Sequence, residues 1–359
     1  MKRQIIAILL LILVSVLPAV ELKFIDAVTL SSGGGDDFLK APAPFAVTED
    51  GFYLVPDYKD GDLKVFDLKG KFVKRVGRKG HGPNEFITPR ECDYLEGRYV
   101  VLDMGRRAYM LYTRDKESII KETNVRRSSY MGNDVALMGG DKVLLAGYKP
   151  DKDGNHWECF TYDFKTGQYN YLVNSETKFG FSSYRAYQQA REDIRPIGSA
   201  GYCDWWGDHA YLVWTGNLKI LKINLKSKQI TAFGKKTSHY RRPIATDRLK
   251  KALRERNTIA WKEESNKFSL IMGLYTNKNY LLLMFNKPLE KGEETNSRML
   301  QFYSLDGTFL NETQITKGSG CTLYLSKAKD DGILYMMKWL PGKYEKDETY
   351  QITRFKIVK

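Results

Sequence analysis

Histidine and cysteine are scarce in this chain, and after its first twenty residues it has no long apolar run. There are four His and four Cys in 359 residues. His81, His156, His209 and His239 are far apart, with no H-x-H or H-E-x-x-H spacing, so a compact histidine metal centre has no sequence support. Cys92, Cys159, Cys203 and Cys321 match no zinc spacing and are read as buried free thiols. No G-x-S-x-G elbow marks a serine hydrolase, and no Gly-Lys-Ser/Thr follows a glycine loop as in nucleotide-binding chains. Sialidase-type Asp boxes are missing too. No other segment is long and apolar enough to span a membrane.

The first twenty residues form a separate unit. Met1-Lys2-Arg3 is basic, Ile5 to Leu17 is apolar apart from Ser15, and Pro18-Ala19 breaks the run. This pattern reads as a secretory signal peptide over residues 1–20, cleaved near Ala19 or Val20, with an uncleaved anchor as the alternative. With no Cys nearby, a standard lipoprotein is not expected. The product is expected outside the cytoplasm, periplasmic or extracellular, with membrane attachment only through an uncleaved N-terminus.

What the rest of the chain has is a repeat. A near-continuous apolar strand is followed by a turn and an alternating strand six times over: Gly51–Asp57 with Leu63–Val73, Gly97–Asp103 with Tyr109–Tyr112, and Lys142–Gly147 with Trp157–Asp163. The remaining copies are His209–Trp214 with Lys219–Asn224, Tyr280–Phe285 with Met299–Gly307, and Gly332–Met337 with Tyr350–Phe355. A continuous apolar strand is buried on both faces, whereas an alternating one has a wetter face. An innermost strand is expected before each pair, at 45–48, 91–94, 135–138, 201–205, 268–272 and 322–325. Four strands per unit and six units predict an all-β fold for 21–359: a single six-bladed β-propeller with four-stranded antiparallel blades. Leu22–Leu30 would complete the last blade. A helix from Thr246 or Asp247 to about Glu264, with Asp247 as a plausible N-cap, is a short helical insertion between blades four and five.

Between the first two copies runs Gly77-Arg78-Lys79-Gly80-His81-Gly82-Pro83-Asn84-Glu85-Phe86. This segment, with the blade pattern, resembles the six-bladed β-propeller family of bacterial envelope proteins, which is similar to NHL-repeat propellers and carries G-x-G-P-x-E-F between blades. Asn84 stands where the family commonly has Gly. The resemblance implies the fold and an exported setting, but no reaction. From the residues themselves, Glu85 is expected to accept backbone N–H groups inside the loop and Phe86 to plug the blade interface.

Propeller topology puts the inter-blade connections and the turns between second and third strands on one face, where three connections are long. That face is the candidate binding surface, and its candidate residues are Arg78, His81, Glu85, Arg106, Tyr148, Tyr184, Arg185, Trp214 and Trp339. Aromatic and arginine side chains suit a glycan, a peptide or an envelope protein as partner. The net charge of +14 is spread through every blade without a nucleic-acid motif, so no nucleic acid is expected. A monomer is expected. The leading reading is a non-catalytic binding propeller without a cofactor. The alternative is a metal-dependent hydrolase or lyase with Ca²⁺ on the axis, held by Glu91, Asp93, Asp134 and Asp204.

Overall fold

A computed structural model describes residues 20–30, 38–113, 119–123, 134–153, 156–174, 201–244, 246–290, 293, 296–317, 321–325, 332–340 and 349–358. The predicted signal segment lies almost wholly outside them.

Six four-stranded antiparallel sheets follow one another in chain order. Their innermost strands are Ala46–Val47, Pro89–Leu95, Asp134–Leu137, Gly201–Trp206, Ile271–Thr276 and Cys321–Leu325. The sixth sheet is closed by the chain's start: Glu21–Leu30 is its outermost strand, antiparallel to Thr349–Val358. Arg354 grips Asp26 across that seam with both Nε and Nη2, the Nε–Oδ1 distance being 2.6 Å. Closure between the two chain ends leaves no gap in the ring through which a blade could peel away.

The expected strand periodicity holds because the central strands of each blade are covered on both faces. Residues 53–56, 99–102, 143–146, 210–214 and 281–285 are all buried. Their side chains pack into clusters that bridge adjacent blades, such as Val100, Leu102 and Leu111 against Val135, Leu145 and Phe160. Cys92, Cys159 and Cys203 are buried free thiols, as read from the sequence, while the Cys321 side chain lies outside the described residues.

Two expectations about blade five needed correction. Its inner strand begins at Ile271, three residues later than predicted, because Phe268 packs under Leu249 of the insertion. The insertion does lie between blades four and five, but it is two helices: α1 (Asp247–Arg254) and α2 (Thr258–Ser265). Thr246, not Asp247, caps α1 by accepting the Leu249 N–H. Asn257 caps α2 through the Ala260 N–H at 3.0 Å. Arg256 between them has φ +53°, which stops the first helix.

Candidate functional site: the axial cavity

Antiparallel blades place the inter-blade connections and the turns between second and third strands at one end of the ring. That end is built on a recurring polar joint. Asp57 closes the second strand of blade one and accepts N–H groups from Lys40 (2.7 Å) and Ala41 (3.1 Å), just ahead of that blade's inner strand. Asp103 does the same in blade two for Ile87 (2.7 Å) and Thr88 (3.0 Å). Asn286 does it in blade five for Leu270. Each side chain satisfies backbone donors that the inner strand's ladder does not reach.

The glycine loop is locked from within. Glu85 Oε2 accepts the Gly82 N–H at 2.6 Å, and its Oε1 takes Arg78 Nε at 2.7 Å. The Gly82 N–H, then Arg78, hold the Glu85 carboxyl below its ordinary range. Arg106 reaches over from blade two to the Gly82 carbonyl. Gly77 has φ +74°, and a Cβ there would stand 2.5 Å from the Phe86 ring. Phe86 is fully buried, so the predicted plug and the predicted role of Glu85 are both present.

Of the nine face residues expected from sequence, Arg78 and His81 are exposed, and Glu85 and Arg106 hold the loop together. Trp214 is not on the face: it is 3 % exposed and packs in the core between blades three and four. It ends an otherwise buried strand, and blade three covers it. Trp339 is exposed at the end of blade six's second strand. The Tyr148 side chain, Tyr184 and Arg185 lie outside the described residues.

The four acids expected on the axis do come together. All of them line a cavity of about 700 Å³ to which every blade contributes. Glu91, Asp134 and Tyr202 lie within the first three residues of their inner strands, at the loop-rich end, where Thr88, Met104 and Gly105 also line the cavity. Asp93, Asp204 and Tyr324 lie deeper.

Three of the acids are occupied by the frame. Asp93 accepts Tyr94 N–H at 2.9 Å and, across the blade junction, Leu137 N–H at 2.8 Å. Asp134 accepts Cys203 N–H of blade four at 2.7 Å. Asp204 accepts Trp205 N–H at 2.9 Å and Thr276 N–H of blade five at 2.6 Å. Three successive junctions are thus latched by one carboxylate each, a charge-assisted bond in each case. Among the described residues no three His, Cys, Asp or Glu side chains are arranged to hold a metal ion.

Glu91 is different. It retains partial exposure and lines the cavity. Burial, then the charges of Asp134 and Asp93, push its carboxyl well above its ordinary range. Beside it Tyr202 is raised by burial, Asp134 and Glu91, with Arg298 pulling the other way. Tyr202 escaped the sequence reading, yet it stands two residues before Asp204 on the same strand and shares its face by alternation. At the mouth, Arg90 lies over the Tyr58 ring, 3.7 Å from its centroid.

Residues 43–202 match the model of a family described as a 6-bladed beta-propeller, DUF5128. The chain is a six-bladed β-propeller. Solved structures agree over almost the whole ring. One is a member of the duf4221 family from Bacteroides vulgatus, with 13% identity and TM-score 0.64, covering 95% of this chain and 99% of that one. Another is a Bacteroides fragilis protein whose description proposes that it is exported, with 15% identity and TM-score 0.59, covering 95% and 96%. At such identities the likeness shows the fold alone. No curated protein matches the propeller's sequence. No helix among the described residues is long and apolar enough to cross a membrane.

Proposed function

We propose that this propeller is an exported, non-catalytic binding protein that takes a glycan chain, a peptide or a segment of an envelope protein at its loop-rich face. The axial cavity carries the reading. It is large enough for one or two sugar rings or side chains, it reaches the face where the loops gather, and its walls mix apolar and polar groups. Arg90 on Tyr58 provides a planar cationic edge at the mouth. The carboxylates that an axial hydrolase would need are tied to backbone amides at three blade junctions, which favours binding over turnover. The Bacteroides fragilis relative and the apolar N-terminus both support export.

Glycan and peptide arrays probed with the mature chain test this. A Thr322→Trp variant, which fills the cavity from blade six, is run beside it. Specific array ligands that the plugged variant no longer binds are the expected result. Ligands held equally by both proteins would move the site off the axis, and an absence of array ligands together with turnover of a glycoside or lactone would favour the hydrolase.

A further inference from the structure

We infer that the exported chain is cut between Ala19 and Val20, and that the ammonium group so made at Val20 seats against Asn311, fastening the strand that closes the ring. The inference rests on the export reading.

Val20, the first described residue, already belongs to the core. It follows the apolar segment and its Pro18-Ala19 break, and Ala19 supplies the small residue that a signal-sequence peptidase takes before its cut. Val20 is 2 % exposed and packs in one cluster with Phe302 of blade five and Leu323, Leu334 and Ile357 of blade six. Glu21 then opens the closing strand. A cut one residue later would take a core side chain away from this seam.

Asn311, on the outermost strand of blade five (Phe309–Lys317), reaches the same residue. Its Nδ2 donates to the Val20 carbonyl at 2.7 Å. That bond fixes the orientation of the amide, since only its NH₂ side donates. Bond lengths alone then put Oδ1, the acceptor, within about 5 Å of the Val20 carbonyl oxygen. Oδ1 is buried and has no hydrogen-bond partner. Such atoms are rare in folded proteins, and each calls for a donor. Val20, Glu21, Asn311 and Thr313 line a cavity of about 380 Å³ at this seam. Glu312 lines it too, but its carboxylate is taken by Thr237, His239 and Gln301.

The cut makes the donor. Water adds its oxygen to the Ala19 carbonyl carbon and the C–N bond breaks. The Val20 nitrogen takes one proton from the water and one from the new carboxyl group, so Ala19 leaves as a carboxylate and Val20 gains an ammonium. A peptide nitrogen offers one hydrogen. An ammonium offers three on a rotating group, and its bond to a carbonyl oxygen is charge-assisted. The last clasp on the ring therefore forms only in the processed chain, which ties complete closure to export.

The full chain, expressed in a bacterium that exports it, is recovered from the envelope fraction and read by N-terminal sequencing and intact mass. Val20 is expected as its first residue. Melting temperatures are then compared for the chain beginning at Val20, released from a cleavable fusion, and the same chain with Gly-Ser ahead of Val20, which turns the ammonium into an amide. The extension is expected to lower the melting temperature by about 2–6 °C, the range for one charged hydrogen bond in a chain of this size. In Asn311→Ala the extension should cost nothing. Asn311→Asp, which keeps the acceptor and gives it charge, should make the cost larger.

An exported protein with any other first residue, equal melting of the two chains, or an extension cost undiminished in Asn311→Ala would each overturn the inference. A cytoplasmic protein that keeps residues 1–19 would overturn the export reading with it, whereas an exported protein cut elsewhere would leave that reading standing.

Discussion

Glu91 and Asp93 are two residues apart on one strand, line the same cavity and carry the same charge, yet the structure gives them opposite energetic signs. Asp93 accepts two backbone N–H groups, one of them in the next blade. In Asp93→Asn one carboxamide oxygen remains, and an NH₂ group faces a donor. One buried N–H loses its acceptor, at about 1–3 kcal/mol, and the surviving bond loses its charge assistance, roughly 1 kcal/mol more. The expected loss is about 2–4 kcal/mol. Glu91→Gln removes no hydrogen bond to Glu91 found among the described residues and relieves repulsion from Asp134 and Asp93. Its effect should be zero or a gain on the order of 1–2 kcal/mol at neutral pH, for like charges at an effective dielectric near 20. The pH dependence has a definite sign. A carboxyl raised in the folded state contributes stability below its unfolded value, near 4.3, and that contribution is lost as pH rises through the folded value. The advantage of Glu91→Gln over wild type should therefore grow with pH and vanish in acid. Scanning calorimetry at three pH values reads this directly. At roughly 2 °C per kcal/mol for a chain of this size, Asp93→Asn should melt about 4–8 °C lower, with Glu91→Gln level or a few degrees higher. If Glu91→Gln fell as far as Asp93→Asn, Glu91 would have a structural partner and the reasoning would be wrong.

Asp62 is buried without a hydrogen bond, and burial lifts it to about 6 despite Lys64 and Arg75 nearby. Arg75 Nε is 2.9 Å away, but it makes no hydrogen bond to either oxygen. Asp62→Asn should thus stabilise the protein by about 1–3 kcal/mol at pH 7 and by almost nothing below about pH 4, as measured by urea unfolding at the two pH values. Gly77→Ala meets both positive φ and the Phe86 ring and should cost about 2–4 kcal/mol, whereas Gly97→Ala, with positive φ and open space, should cost about 1 kcal/mol; unfolding midpoints of the pair separate strain from clash. Lys64→Met leaves Asp57 uncompensated in a fully buried site and should cost about 3–5 kcal/mol, read as a fall in melting temperature. Chelation is expected to leave the melting temperature unchanged, and a fall with EDTA would restore an axial ion.

The architecture was legible because it rests on period-two burial repeated six times, a signal that survives irregular copies. The closing strand was legible too: a ring needs one, and Leu22–Leu30 had no other partner. The glycine loop could be read because Glu85 and Phe86 act on residues a few positions away. Trp214 misled because an aromatic residue at a strand's end looks the same whether it faces solvent or a neighbouring blade. The break at Arg256 in the insertion was hidden by apolar spacing that continues across Asn257. The axial acids were found by position, but their work was not. Asp93, Asp134 and Asp204 reach amides 44, 69 and 72 residues away, and no local pattern encodes such a bond. Tyr202 was missed for the same reason, since its neighbours Glu91 and Asp134 belong to other blades.

The most direct measurement is a hydrogen–deuterium exchange footprint of the strongest array ligand on the mature chain. Added protection in the inner-strand segments around Glu91, Asp134 and Tyr202, reduced in Thr322→Trp, is the predicted result. Protection confined to outer strands or to the α1–α2 insertion, and equal in the plugged variant, would contradict a binding site on the axis.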